Sequence, residues 1–220
     1  MATPKQNTAA SITVAQGPVW AQAARDAAAA RLAATGLPGR RDEYWKFTDP
    51  TSLCTPEAAP AALFRTDESL FFTDIDRLKI VFVDGVFDAG ASDELSLDGV
   101  EVDRLADANA DIHWARGLFG TLEAAGQTPV ARPLAALNTA TATDGVLIRV
   151  TKTPSRPISL IYRHADEASD AVLHHVVRVD PGASVTVLEN GPAAARFNKV
   201  MEVDVADGAS FHHIRAQGRD

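Results

Sequence analysis

The chain has 220 residues, of which 46% are hydrophobic and 23% charged, a composition that excludes disordered and collagen-like proteins. It carries 29 acidic and 21 basic residues, for a net charge of −8. This negative field repels nucleic acid and anionic lipid, so we expect neither nucleic acid nor a membrane as a partner.

The first predicted element is a helix near the N-terminus. Residues 1–16 are polar and alanine-rich without a period, and they predict a flexible start that lacks the pattern of a secretory signal. The alanine-rich run that follows opens at Pro18 and closes at Gly36, which are typical residues for the first turn and the C-terminal cap of a helix. Because no apolar stretch is long enough to cross a membrane, we expect a cytoplasmic protein.

A charged, aromatic segment and a hairpin are predicted next. The segment is bracketed by Pro38 and Pro50, which limit any helix inside it to a couple of turns. Two β-rich runs then meet at Asp84-Gly85, a pair suited to a tight turn. This pattern predicts a hairpin.

Helices are predicted again in the middle of the chain. Apolar residues fall near helical spacing within residues 103–126, which predicts one or two helices that end at Gly126. Residues 129–142 favour a further short helix that includes Leu134 and Asn138.

Short β-rich runs separated by Gly, Pro and Asp follow Asp144, a pattern typical of all-β structure. One turn sequence recurs, and its two glycines, Gly182 and Gly208, are 26 residues apart. A fixed period of this size that spans two strands favours a parallel β-helix with two strands per coil. The alternative is an antiparallel sandwich, in which the turn would be expected after every strand.

The repeat also predicts which residues are neighbours in successive coils. Superposed at this offset, the two copies have apolar residues at alternate positions, as strands with one face toward a filled interior require. The predicted neighbours are Val177 with Val203, Arg178 with Asp204, Val179 with Val205, Val185 with Phe211, and Val187 with His213. On the outer face, Arg178 and Asp204 are expected to form a solvated ion pair that contributes little to stability.

These patterns divide the chain into three parts. Residues 1–16 are the flexible start, residues 17–143 form a mostly helical α/β domain with a small hairpin, and residues 144–220 form a parallel β-helix that is incomplete at its C-terminal end. The predicted fold class is mainly β with an α-helical N-terminal part.

Several motifs resemble one known family. Gly36-Leu37-Pro38, followed by the run from Arg41 to Asp49, resembles the signature near the N-terminus of SufD proteins, which belong to the SufB/SufD family of iron–sulfur cluster assembly. Residues 81–87 are similar to the hairpin of that family, and residues 137–145 are similar to the entry of its β-helix. The signature residues carried by the resemblance are Arg41, Asp42, Glu43, Trp45, Lys46 and Asn138.

The resemblance implies a right-handed parallel β-helix and a scaffold role. A SufD-like subunit pairs with SufB and engages the ATPase SufC through a C-terminal region, which has no counterpart here, so the resemblance implies truncation at Asp220. It implies that this chain alone binds no cofactor, whereas the intact complex handles iron–sulfur clusters. The exposed end of an incomplete β-helix is expected to self-associate.

No catalytic site is predicted. The sequence has no GxxxxGK phosphate loop and no HExxH, GxSxG or GxGxxG motif, the usual signs of nucleotide hydrolysis, zinc proteolysis, esterase chemistry and dinucleotide binding. We therefore predict a non-catalytic subunit with no catalytic and no cofactor-binding residues. The alternative is a carbohydrate-binding or polysaccharide-lyase-like β-helix, which would need charged and aromatic residues along one sheet.

Cys54, His175 and His213 are the candidate metal ligands, and none is favoured. Cys54 is the only cysteine, so one copy of the chain cannot build an all-cysteine site. A lone cysteine is most often a small buried hydrophobe, and the alternative is a reactive or metal-binding thiol. The two histidines belong to pairs predicted to lie on different sheets, so we expect no shared metal site.

The adjacent residues Trp45 and Lys46 have two interpretations. They could form a binding site, or the ring and the lysine stem could pack at a helix surface or a domain joint. The sequence favours packing.

Overall fold

The computed structural model describes residues 13–63, 71–110, 113–191 and 193–217. In these ranges the helices are α1 (Val19–Thr35), α2 (Thr121–Ala125) and α3 (Pro133–Thr141), with 3₁₀ turns at Glu43–Trp45, Thr51–Leu53 and Trp114–Gly117. Their positions confirm the predicted helices. Most of the predicted flexible start lies outside the described residues. No helix in the described ranges combines the length and the apolar composition needed to cross a membrane.

Within the described ranges, nine strands form two sheets. The strands are β1 (Leu78–Val83), β2 (Val86–Phe87), β3 (Val100–Arg104), β4 (Val146–Val150), β5 (Ile158–Arg163), β6 (Asp170–Val179), β7 (Ser184–Gly191), β8 (Arg196–Val205) and β9 (Ser210–Gln217). The five-stranded sheet has the order β2-β1-β5-β7-β9, and the four-stranded sheet has the order β3-β4-β6-β8. Only the edge pairs, β1 with β2 and β3 with β4, are antiparallel in the described chain. The fold is therefore mixed α/β.

The strands from β4 to β9 alternate between the two sheets, and each pairs in parallel with the strand two places further along the chain. All five predicted neighbour pairs are in register, for example Val177 with Val203 in β6 and β8, and Val187 with His213 in β7 and β9. The predicted period and parallel pairing are thus confirmed. An antiparallel sandwich is wrong for this region.

Two further predictions about local structure are confirmed. β1 and β2 form a hairpin in which Val83 pairs with Val86 across the turn. On the outer face, Arg178 Nε lies 3.9 Å from Asp204 Oδ2, and both side chains are about 40% exposed. An ion pair with this exposure contributes little to stability, as expected.

The main hydrophobic core lies between the two sheets. Apolar side chains from both sheets fill it, among them Ile80, Leu160 and Val187 from one sheet and Ile148 and Val177 from the other. These five residues are completely buried. Burial of this kind is the dominant favourable term in folding, so the two sheets stabilise each other.

A second, smaller core covers the outer face of the four-stranded sheet. Trp20 of α1 and Phe119, just before α2, pack there against Leu147 of β4 and Val176 of β6. These two strand residues face away from the main core because side chains alternate along a strand. Both faces of this sheet are therefore buried in part, the inner one by the other sheet and the outer one by helices.

Strands from before Asp144 belong to the same sheets as those after it. β1 pairs in parallel with β5, and β3 pairs with β4. The region predicted as mostly helical thus contributes β1, β2 and β3, which the sequence analysis saw only in part. The boundary drawn at residue 144 does not separate two sheets.

Gly145 is predicted to tolerate no side chain. Its φ is +156°, and a Cβ atom there would lie 1.8 Å from the carbonyl oxygen of His174, whereas at Gly208, with φ +70°, nothing lies within 4 Å. We expect Gly208→Ala to cost about 1–2 kcal/mol, from the left-handed backbone alone. Gly145→Ala should cost about 3 kcal/mol or more, because the backbone of β6 must move.

Urea denaturation of both variants measures this difference. Equal unfolding midpoints for Gly145→Ala and Gly208→Ala would contradict the close approach of β6 to Gly145.

Candidate functional site

Five polar side chains meet in the space between the two sheets. They are Tyr162 of β5, His175 of β6, Glu189 of β7, Lys199 of β8 and His213 of β9, and we call them the interior cluster. His175 and Glu189 are completely buried, and Tyr162 is 2% exposed. The cluster therefore brings charge and hydrogen-bonding groups into an otherwise apolar core.

Hydrogen bonds select one tautomer of His175. The backbone N–H of Val146 donates to Nδ1 of His175 at 3.0 Å, so the ring proton of the neutral imidazole lies on Nε2. Nε2 is 2.9 Å from the hydroxyl of Tyr162. That hydroxyl donates to Oε1 of Glu189 at 2.8 Å. A chain of donors thus runs from the four-stranded sheet to the carboxylate.

Glu189 is the acceptor at the centre of the cluster. Nζ of Lys199 lies 2.6 Å from each carboxylate oxygen. Nε2 of His213 lies 2.6 Å from Oε2. A buried carboxylate is tolerated only when it is paired and hydrogen-bonded, and here both sheets supply its donors.

Burial and charge shift the pKa values of these groups. Burial alone would raise the pKa of Glu189, but the charge and hydrogen bonds of Lys199, with that of Tyr162, lower it to about 2. Burial, reinforced by the charge of Lys199, lowers the pKa of His175 to about 3. Burial raises the pKa of Tyr162 well above its ordinary value. At neutral pH the Glu189–Lys199 pair is therefore charged, while His175 and Tyr162 are neutral.

The structure brings His175 and His213 closer than the sequence analysis anticipated. They lie on different sheets, as predicted, but their rings join one network because the sheets face each other. Within the described residues no group of three or more His, Cys, Asp and Glu is arranged to hold a metal ion. Lys199 supplies the positive charge at the centre of the network.

The neighbouring His174 faces the opposite side of the sheet and serves the helices. Its Nε2 is 2.8 Å from Oε2 of Glu202, and both residues are buried. Glu202 also accepts the backbone N–H groups of Gly120 at 2.6 Å and Glu123 at 2.7 Å, at the start of α2. These contacts attach the helical layer to the four-stranded sheet.

Asn138, a predicted signature residue, joins α3 to the same sheet. Its side-chain amide donates to the carbonyl oxygens of Leu173 and Asn198, each at 3.0 Å. Asn198 donates in return to the carbonyl oxygen of Leu134 at 3.0 Å. The contacts of Asn138 are therefore structural and lie inside the fold.

A cleft of about 920 Å³ opens beside these contacts. It lies between residues 37–56 on one side and α3 with the start of β8 on the other. Lys199 lines it, so the cleft reaches one member of the interior cluster. The cleft is thus the route by which a ligand could approach that cluster.

Cys54 lines the cleft and is partly exposed. Burial raises the pKa of its thiol, and the nearby Arg196 offsets part of this effect. The thiol also lies 3.6 Å from the carbonyl oxygen of Pro38. A raised pKa leaves little thiolate at neutral pH, so these contacts do not activate Cys54 as a nucleophile.

The signature segment lies largely on the surface. Arg41, Asp42, Glu43 and Lys46 are exposed and Trp45 is half-buried. Asp42 accepts the backbone N–H of Gly39 at 2.8 Å, and the ammonium of Lys46 lies 5.4 Å from the ring centroid of Phe47. Lys46 therefore packs on Phe47, an exposed neighbour, which differs from the packing expected for Trp45-Lys46.

Sequence analysis missed Tyr162, Glu189 and Lys199. The signal was present in the coil offsets, since Lys199 pairs with Leu173 and Glu189 pairs with Leu160, two buried core residues. A charged residue one coil after an inward apolar residue must itself face inward. Their meeting point depends on the spacing of the two sheets.

Comparison with known proteins identifies one family. The sequence model described as the SufBD protein N-terminal region matches residues 6–158, which is more than half of the chain. No curated protein matches the chain.

Breaking the Glu189–Lys199 pair should be much more costly than breaking an exposed pair. Lys199→Met leaves a carboxylate buried without its counter-charge, and we expect a loss of about 3–5 kcal/mol. The control is Lys152→Met, whose ammonium lies 2.9 Å from Asp98 with both side chains exposed, and which should cost less than about 1 kcal/mol. Guanidinium denaturation measures both. Equal costs would contradict a buried, stabilising pair.

Acid sensitivity should depend on His175. Its pKa is lowered from 6.5 to about 3 in the folded protein, so the unfolded chain binds a proton that the folded chain does not. The free energy of unfolding should therefore fall as pH falls from about 6.5 toward 3. His175→Gln should reduce proton uptake on unfolding by up to about one proton.

Unfolding free energies measured between pH 7 and pH 5 test this, because Glu189 contributes only below about pH 4.5. The exposed His212 provides the control variant, His212→Gln, which should leave the pH dependence unchanged. An unaltered slope in His175→Gln would contradict the neutral, buried imidazole.

Proposed function

Because this chain belongs to the SufB/SufD family of iron–sulfur cluster assembly proteins, we propose that it is a SufD-type scaffold subunit. The observation that carries the proposal is the family match over residues 6–158. The parallel strands that follow, with their repeated register, supply the extended surface that a scaffold needs.

We further infer that the two sheets form a right-handed parallel β-helix. Consecutive strands alternate between the sheets, and each pairs with the strand one coil away at an offset of 26 residues, such as Ser184 with Ser210. Parallel crossovers are right-handed in almost all proteins, which supports the handedness. The helices on the outer face would then form an N-terminal cover on the first coils.

The proposed role is positional and non-catalytic. The interior cluster supports it, because its polar groups satisfy one another and the Glu189 carboxylate is committed to Lys199. In this proposal the protein pairs with SufB, SufC hydrolyses ATP, and the complex handles iron–sulfur clusters as cargo in the cytoplasm. With Cys54 as its only cysteine, this chain alone would not ligate a cluster.

The SufD assignment within the family is part of the proposal. The run from Gly36 to Asp49, which resembles the SufD signature, supports it, since the family match covers SufB and SufD alike. No observation in the described part of the chain favours the carbohydrate-binding alternative.

Pairwise co-expression tests the proposal. We expect the protein to form a stable complex with affinity-tagged SufB of the same organism, seen as one species by size-exclusion chromatography with light scattering. ATP hydrolysis should appear only when SufC is present. A complex with tagged SufD and none with SufB would instead assign the protein to the SufB branch. Binding to neither, or ATP hydrolysis by the protein alone, would contradict the scaffold role.

A further inference from the structure

The cleft beside residues 37–56 has rigid walls. Arg196, at the start of β8, donates to the carbonyl oxygen of Thr55 at 2.7 Å and is held from the other side by Asp170, 2.9 Å from its Nε. Asn198 donates to α3 through the carbonyl oxygen of Leu134 at 3.0 Å. The segment, the strand and the helix are thus tied together, and the cleft is preformed.

The lining of the cleft combines aliphatic and cationic side chains. Its half-buried apolar members come from the loop, α3, β6 and β8, and they are Leu37, Leu53, Leu134, Leu137, Val172 and Phe197. Three cations line it, Arg40, Arg196 and Lys199, against one carboxylate, Asp170. The chain as a whole carries a net charge of −8, so this cleft is a local exception to its negative field.

One of the three cations is available to a ligand. Arg196 is held by Asp170, and Lys199 by Glu189. The guanidinium of Arg40 is different, because its side chain is 79% exposed and its contact with Asp49 is 3.8 Å long. Arg40 can therefore accept a carboxylate partner with little loss elsewhere.

Two exposed aromatic residues lie in the same loop. Tyr44 is 73% and Phe47 is 93% exposed, and both lie between Arg40 and Thr51, which line the cleft. Exposed aromatic side chains next to a concave apolar surface are typical anchors of protein interfaces.

We propose that this cleft binds an acidic, leucine-rich peptide segment of a partner protein. The half-buried aliphatic lining would take the leucine side chains, and Arg40 would pair with a carboxylate. Its volume of about 920 Å³ is enough for a few residues. An acidic peptide is repelled by the rest of the molecule, so charge complementarity directs it to this cleft. The inference is independent of the SufD assignment.

Cys54 makes the test site-specific, because it is the only cysteine of the chain and lines the cleft. The probe is the fluorescein-labelled peptide Ser-Glu-Leu-Asp-Leu-Leu-Glu-Ser, and its counterpart has lysine at every acidic position. Fluorescence anisotropy measures the affinity, and the rate of Cys54 alkylation by a maleimide measures occupancy of the cleft. The acidic peptide should bind and slow alkylation at least about fivefold, and the basic peptide should do neither.

Arg40→Glu should weaken binding of the acidic peptide about tenfold, a change of about 1.4 kcal/mol. Phe47→Ser should weaken it by a smaller factor. The matched controls are Lys152→Glu and Val86→Ser, which alter exposed residues away from the cleft lining and should leave affinity unchanged. Circular dichroism checks that all four variants are folded.

Three results would overturn the proposal. They are failure of the acidic peptide to protect Cys54, equal protection by the basic peptide, and unchanged affinity in folded Arg40→Glu. Protection that rises with protein concentration in the absence of peptide would assign the cleft to a second copy of the chain and would also overturn it. Pairing with SufB is measured separately, so failure of this inference and failure of the scaffold role are distinguishable.

Discussion

The buried carboxylate of Glu189 constrains the rest of the structure. Removing an unpaired charge from water costs several kcal/mol, so the core can contain this group only if donors reach it from every side. Tyr162 and His213 supply them from the five-stranded sheet and Lys199 from the four-stranded sheet. A slip of one residue in any of these strands would turn its polar side chain to the outer face. The cluster therefore ties the register of several strands to a single site.

The same strands also hold the helical layer in place. His174 and His175 are adjacent in β6, yet one binds Glu202 beneath α2 and the other joins the interior cluster. Because Glu202 accepts two backbone N–H groups at the start of α2, the helices depend on β8, which follows them by some 80 residues. The N-terminal region and the later strands are thus one cooperative structure, as the pairing of β1 with β5 also shows.

This division of polar groups separates structure from recognition. The interior cluster and the Asn138 contacts are satisfied inside the fold, which leaves them little capacity for chemistry and suits a scaffold. The surface segment that carries the family signature instead exposes Arg40, Tyr44 and Phe47 beside a preformed cleft. Recognition by the protein is thus placed on its surface loop, and rigidity is placed between its sheets.

The sequence by itself determined the elements that depend on local pattern. Helix α1 follows from its alanine content and its terminal Pro18 and Gly36, and the parallel register follows from the 26-residue repeat. Only the tertiary structure decided where inward polar residues meet, because the distance across the interior depends on how two sheets pack. It also decided that β1 and β3 join those sheets, since pairing partners such as Leu78 and Ile158 are 80 residues apart and no local pattern encodes their contact.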